Sequence, residues 1–146
     1  MATSISDRLR AGARTASAGE TQALAAAWCA ELAPDCTVAL HGDLGAGKTT
    51  FVQGLALGLG VAGPVTSPTF NIYALHPGSA RMLAHLDAYR LGSASEAEDL
   101  LLHEFLESPW CLAVEWPENV EGWLAEDALH LDLSIEADGR RLVRLR

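Results

Sequence analysis

The chain has 146 residues, 49% of them hydrophobic, and a formal net charge of −9. That length suits a single domain built around one core. The acidic balance, with the basic residues mostly at the two chain ends, argues against a primary role in binding naked DNA or RNA, or an anionic membrane surface.

No apolar run is long enough to span a membrane, and Met1 to Arg14 lack the apolar stretch of a secretory signal. The cysteines Cys29, Cys36 and Cys111 form no C-x-x-C pair. They read as reduced, buried thiols of a cytoplasmic protein.

Residues 1–16 are small and polar with interspersed arginines, and are expected to form a loose tail ahead of a domain spanning 17–146. Ser17-Ala18-Gly19-Glu20 has the form of a capping box. Ala23, Leu24, Ala27, Trp28 and Leu32 follow at helical spacing, and Pro34 ends that helix. Thr37 to His41 reads as a short buried strand.

Gly42-Asp43-Leu44-Gly45-Ala46-Gly47-Lys48-Thr49 then fits G-x-x-x-x-G-K-[ST], the phosphate-binding loop. Its glycines let the backbone curl so that N–H groups point at phosphate oxygens, and the following helix adds a favourable dipole. Lys48 is expected to reach the β- and γ-phosphates and the Thr49 hydroxyl to ligate Mg²⁺. The strand before the loop, and a helix over Thr50 to Leu59 closed by Gly60, are the context this motif requires. Lys48 is the only lysine in the chain. A compact ammonium fits among phosphates where a planar guanidinium does not.

Gly63 to Tyr73 runs through Pro64-Val65-Thr66-Ser67-Pro68-Thr69-Phe70. It suits a segment that senses phosphate through a hydroxyl, and equally a proline-rich connection. Phe70 to Leu75 and Arg81 to Asp87 read as antiparallel strands around the turn His76-Pro77-Gly78-Ser79. Leu83, His85 and Asp87 share one face of the second. Asp87 ends that strand, where a Walker B carboxylate holds Mg²⁺ through water; the alternative is a cap on the next turn. His85 reads as a packed strand residue.

Ser95-Glu96-Ala97-Glu98 suggests a second capping box opening a helix to about Glu107, with Pro109 beyond it. Cys111 to Val114 is a continuous apolar run, consistent with a strand buried on both faces. It ends in Glu115, at the end of a central strand where ligands bind in open α/β sheets. Glu115 either positions water or completes a Mg²⁺ shell, or is a solvated strand end. Asn119 to Asp127 reads as a short helix or loop. Leu129 to Ile135 alternates as a half-buried strand, Asp138-Gly139 makes a two-residue hairpin turn, and Arg141 to Arg146 returns as an arginine-bearing edge strand. The expected fold is a three-layer α/β phosphate-loop domain, its mixed sheet parallel at the centre with antiparallel additions.

The phosphate loop, Ser67-Pro-Thr-Phe70, His85-Leu-Asp-Ala-Tyr-Arg-Leu91 and Glu115-Trp-Pro117, in this order and spacing, resemble the TsaE (YjeE) family, small ATPases of bacterial tRNA threonylcarbamoyladenosine biosynthesis. The resemblance implies ATP and Mg²⁺ as cofactors. It implies that Gly45, Ala46, Gly47, Lys48, Thr49 and Thr50 bind the phosphates and that Thr49, Asp87 and Glu115 serve the metal. Lys48, Asp87 and Glu115 then carry catalysis, Trp116 lies near the nucleotide, and Thr69 belongs to the switch segment. Thr21 and Arg140 approach the adenine.

The implied partners are TsaB and TsaD, the latter transferring the threonylcarbamoyl group to tRNA, so that tRNA is met only indirectly. A small-molecule kinase needs an arginine-bearing lid, and no such insertion is visible. A GTPase needs N-K-x-D, which is absent. A nucleotide-gated binding module without significant hydrolysis remains a distinct alternative.

Overall fold

The computed structural model describes residues 3–68 and 70–146. The chain opens with α1 (Ile5–Ala11) and β1 (Ala13–Thr15), where the sequence reading expects a loose tail. Ser4 Oγ caps α1 by accepting from the Asp7 N–H at 3.0 Å. The Glu31 carboxylate accepts from the N–H groups of Ile5 and Ser6 at 2.7 and 2.9 Å. Leu9 is fully buried in the core. One apolar side chain and a distant carboxylate thus order a segment whose composition alone looks unstructured.

In α2 (Ala18–Trp28), Ser17 Oγ accepts from the Glu20 N–H, and Glu20 returns a bond by accepting from the Ala16 N–H. The helix stops at Trp28 and a 3₁₀ turn over Cys29–Glu31 follows. β2 (Cys36–His41) leads through the loop into α3 (Lys48–Leu59), which begins two residues earlier than the sequence suggests and ends at Gly60, φ 79°. α2 and α3 pack closely: a Cβ on Gly54 would lie 2.5 Å from the Gln22 carbonyl oxygen. Only glycine permits that approach.

β3 (Tyr73–His76) and β4 (Met82–Asp87) are antiparallel, with Tyr73 opposite Leu86. β3 starts later than expected, after Ile72 at φ 68°, and Phe70 is exposed. The expected helix from Ser95 to Glu107 is replaced by the five-residue α4 (Ala94–Glu98) and a 3₁₀ turn over Leu102–Phe105. The reciprocal cap is Ser93 with Glu96: Ser93 Oγ accepts from the Glu96 N–H, and Glu96 accepts from the Gly92 N–H. Leu101, left-handed at φ 54°, turns the chain so that Leu102 enters the core while Leu101 and Phe105 stay exposed. Burial of one leucine overrides a helical repeat that would have put both on one face.

β5 (Trp110–Glu115), a 3₁₀ segment over Pro117–Trp123, β6 (Leu129–Ile135) and β7 (Arg141–Leu145) complete the chain. The β6–β7 turn is a three-residue loop rather than two: the Glu136 N–H bonds Arg140 O, the Gly139 N–H bonds Glu136 O, and Gly139 takes φ 88°. Nor is β7 an edge, because β1 pairs with it.

The sheet is seven-stranded, in the order β1-β7-β6-β2-β5-β4-β3. β6, β2, β5 and β4 form a parallel centre, and the outer pairings are antiparallel. α1, α2 and α3 cover one face; α4 and the 3₁₀ segments over Leu102–Phe105 and Pro117–Trp123 cover the β3–β5 half of the other. β5 shows the consequence, with Cys111 and Ala113 in one core cluster and Leu112 and Val114 in the other.

Candidate functional site

The C-terminal ends of the parallel strands converge on one cavity of about 700 Å³. β2 delivers the phosphate loop, β4 ends at Asp87 and β5 at Glu115, and those carboxylates stand opposite each other in register. The loop conformation rests on glycine: Gly42 has φ 151°, with a Cβ there 2.5 Å from Leu133 O, and Gly47 has φ 101° at the start of α3.

Lys48 lies almost wholly inside, 5% exposed. Its Nζ donates to Gly42 O at 2.5 Å and sits 3.4 Å from the Trp116 ring centroid. Burial lowers its pKa, against the opposing pull of Glu115 and other carboxylates. Trp116 reaches that position through a left-handed backbone, φ 56°, immediately before Pro117, and the Tyr89 ring lies 5.2 Å from it.

Thr49 Oγ1 donates to the Glu115 carboxylate, 3.0 Å to one oxygen and 3.3 Å to the other. Glu115 is itself 4% exposed. Its Oε2 also meets His85 Nε2 at 2.6 Å, and His85 is fully buried. A helix start, a central strand end and a neighbouring strand are thereby joined through one carboxylate. Asp87 is differently placed: Oδ1 accepts from the Tyr89 N–H, capping the turn that follows, and Oδ2 accepts from Ser67 Oγ at 3.2 Å.

Gly45, Gly47, Thr49 and Thr50 line the cavity, as does Thr21. Ala46 is buried within the loop, its N–H bonded to Asp43 O. Thr69 lies outside the described residues. Arg140 does not line the cavity; it pairs with Asp138, while Gly139 and Arg141 occupy the wall. The hairpin therefore approaches the cavity one residue either side of the position expected. Sequence reasoning also missed His85 as the partner of Glu115. Alternation places His85 on the face of Asp87, but only the β4–β5 pairing shows which carboxylate it meets. Tyr89 lies within the same short motif and was equally within reach.

The β1–β7 pairing also brings together arginines that the sequence holds apart. Arg14 stands opposite Leu142 in β7, the strand that carries Arg141 and Arg144, and α1, which carries Arg8 and Arg10, packs against the same strand. Carboxylates offset several of them: Asp7 pairs with Arg10, Glu136 with Arg14, Asp138 with Arg140 and Asp132 with Arg146.

The family model described as "Threonylcarbamoyl adenosine biosynthesis protein TsaE" matches residues 15–143, a span that holds every residue of the cavity wall. The chain belongs to the TsaE family. Among its TsaE relatives, each described as a tRNA threonylcarbamoyladenosine biosynthesis protein, that of Bacillus subtilis is 38% identical over 128 residues, 88% of this chain and 80% of the relative. TsaE of Treponema pallidum is 42% identical over 71% of this chain and 76% of its own length. TsaE of Streptomyces coelicolor is 53% identical over 64% and 65% respectively. The crystal structure of YdiB from Bacillus subtilis superposes with a TM-score of 0.73 at 34% identity, covering 90% of this chain and 81% of that one. The mixed sheet described above is thus an architecture shared with a solved structure. Among the described residues, no helix is long and apolar enough to cross a membrane.

Proposed function

We propose that this protein binds ATP with Mg²⁺ in the cavity and hydrolyses it, and that turnover serves threonylcarbamoyladenosine formation in tRNA through the TsaB and TsaD proteins. The observation that carries the reading is the contact between Thr49 Oγ1 and Glu115 beside the buried Lys48. A hydroxyl and a carboxylate within hydrogen-bond reach of each other offer hard oxygen ligands that one ion or water can meet together. Among the described residues, no cluster of three or more His, Cys, Asp or Glu is arranged to hold a metal alone. Mg²⁺ binds through one or two protein oxygens together with substrate phosphates and water. When bound, Mg²⁺ neutralises charge on the phosphate oxygens.

The chain's own groups supply the remainder. Lys48 brings a second positive charge to the phosphates, and the N-terminus of α3 adds its dipole. Trp116 and Tyr89 furnish aromatic surface at the cavity wall. His85, bonded to one Glu115 oxygen, holds the carboxylate in place to orient an attacking water. Membership of the TsaE family supports the assignment to tRNA modification. The net charge of −9, with several arginines already paired, supports indirect contact with tRNA through a partner bearing the basic surface.

Single-turnover ATP hydrolysis, with and without TsaB and TsaD, tests the reading. Hydrolysis accelerated by the partners is the expected result. ATP binding without turnover in their presence would make this a nucleotide-gated binding module instead.

A further inference from the structure

At the end of β2 remote from the phosphate loop, Cys36 stands opposite Cys111 in parallel register. Alternation along a strand puts both side chains on the same face of the sheet. Arg81, just ahead of β4, brings Nη1 to 4.0 Å from Cys36 Sγ. The same guanidinium donates to Ala33 O at 2.8 Å and to Leu32 O at 2.6 Å, which fixes it in place. No ion pair between Arg81 and a carboxylate occurs among the described residues. The adjacent Asp35 instead accepts from Ser108 Oγ and the Trp110 N–H. Cys36 is partly exposed, whereas Cys29 and Cys111 are buried.

We propose that Cys36 is a reactive thiol and a modification site of this protein, forming mixed disulfides with small disulfides such as oxidised glutathione. Reactive cysteines combine partial exposure with an adjacent positive charge, and Cys36 alone of the three has both. The Cys36 pKa is lowered, by the neighbouring Cys111 thiol first and by Arg81, against the opposing effects of burial and of the Asp35 charge. Burial pushes the Cys29 thiol up to about 11, and the Cys111 thiol is also raised, by the neighbouring Cys36 and by burial.

In the exchange, the Cys36 thiolate attacks one sulfur of the small disulfide. The existing S–S bond breaks as the new one forms, and the departing thiolate takes a proton from water. No other oxidant is required. The product is a mixed disulfide on Cys36, and an internal bridge to the Cys111 opposite it is the competing outcome that the test distinguishes.

The test treats the folded, full-length protein with oxidised glutathione and follows intact mass, with peptide mapping of the adduct. One reducible adduct on Cys36 is expected, absent in Cys36→Ser and retained in Cys29→Ser. Arg81→Gln should slow the reaction about three- to tenfold at neutral pH through loss of the counter-charge, and Arg81→Lys should restore much of the rate. The proposal is overturned by failure of the native protein to react while its denatured form does. An adduct spread over all the cysteines, an internal disulfide, or an Arg81→Gln rate equal to or above wild type would overturn it as well.

Discussion

Lys48→Ala separates the fold from the phosphate site. In the free protein the ammonium bonds Gly42 O and rests over Trp116. Losing a cation–π contact costs about 0.5–2 kcal/mol, and losing a hydrogen bond from a charged group about 1.5–3 kcal/mol. Against this stands the cost of keeping a charge desolvated, visible in the lowered Lys48 pKa. These opposing effects leave a net destabilisation of about 1 kcal/mol, equivalent to roughly 2–4 °C in Tm for a chain of this size. Nucleotide binding has no such offset. Loss of charged bonds to the β- and γ-phosphates removes about 3–5 kcal/mol, a weakening of roughly a hundred- to several thousand-fold. Calorimetric titration with Mg-ATP, alongside a thermal melt, measures both quantities. An unchanged ATP affinity in a folded Lys48→Ala protein would refute the phosphate-loop assignment.

Glu115→Gln should retain ATP binding and lose about a hundredfold or more of partner-stimulated turnover; undiminished hydrolysis would leave Glu115 a structural residue. Gly54→Ala gains about 1 kcal/mol in helix propensity, but its Cβ would fall 2.5 Å from Gln22 O. Overpacking against backbone should prevail, with a net loss of about 1–3 kcal/mol, and a Tm equal to or above wild type would contradict the α2–α3 packing. For Asp132→Asn the loss should be only about 0.5 kcal/mol, because the pair with Arg146 is half exposed. The Arg146 guanidinium depresses the Asp132 pKa. This stabilisation is complete above the ordinary aspartate range and is lost as pH falls through the depressed folded value. Urea unfolding of both proteins should show the gap closing on acidification; a gap independent of pH would refute the linkage.

Local chemistry made several features readable from residue order. The loop from Gly42 to Thr49 needs glycines, one ammonium and one hydroxyl at set spacing, so its composition declares its conformation. Gly60 stops α3 because a left-handed turn favours a residue without Cβ. The apolar run Cys111 to Val114 signals burial on both faces because neither set of alternate positions is polar. Ser95-Glu98 misled where Ser93-Glu96 makes the cap. Both spacings satisfy the motif, and the difference depends on which turn allows Leu102 to enter the core.

Long-range pairing is another matter, because nothing local encodes a contact between residues far apart in the chain. Residues 5–15 owe their order to Glu31, the core and β7, none of which can be inferred from their own composition. The β1–β7 pairing decides that Arg14 lies opposite Leu142 and that Thr15 and Arg141, opposite each other, both line the cavity, which Arg140 does not. The β4–β5 register decides that His85 meets Glu115, and the β2–β5 register decides that Cys36 and Cys111 stand side by side. Residue type and spacing determine which chemistry each segment is able to offer. Strand register and helix packing determine which of those groups come within bonding distance, because that depends on how the whole core is buried.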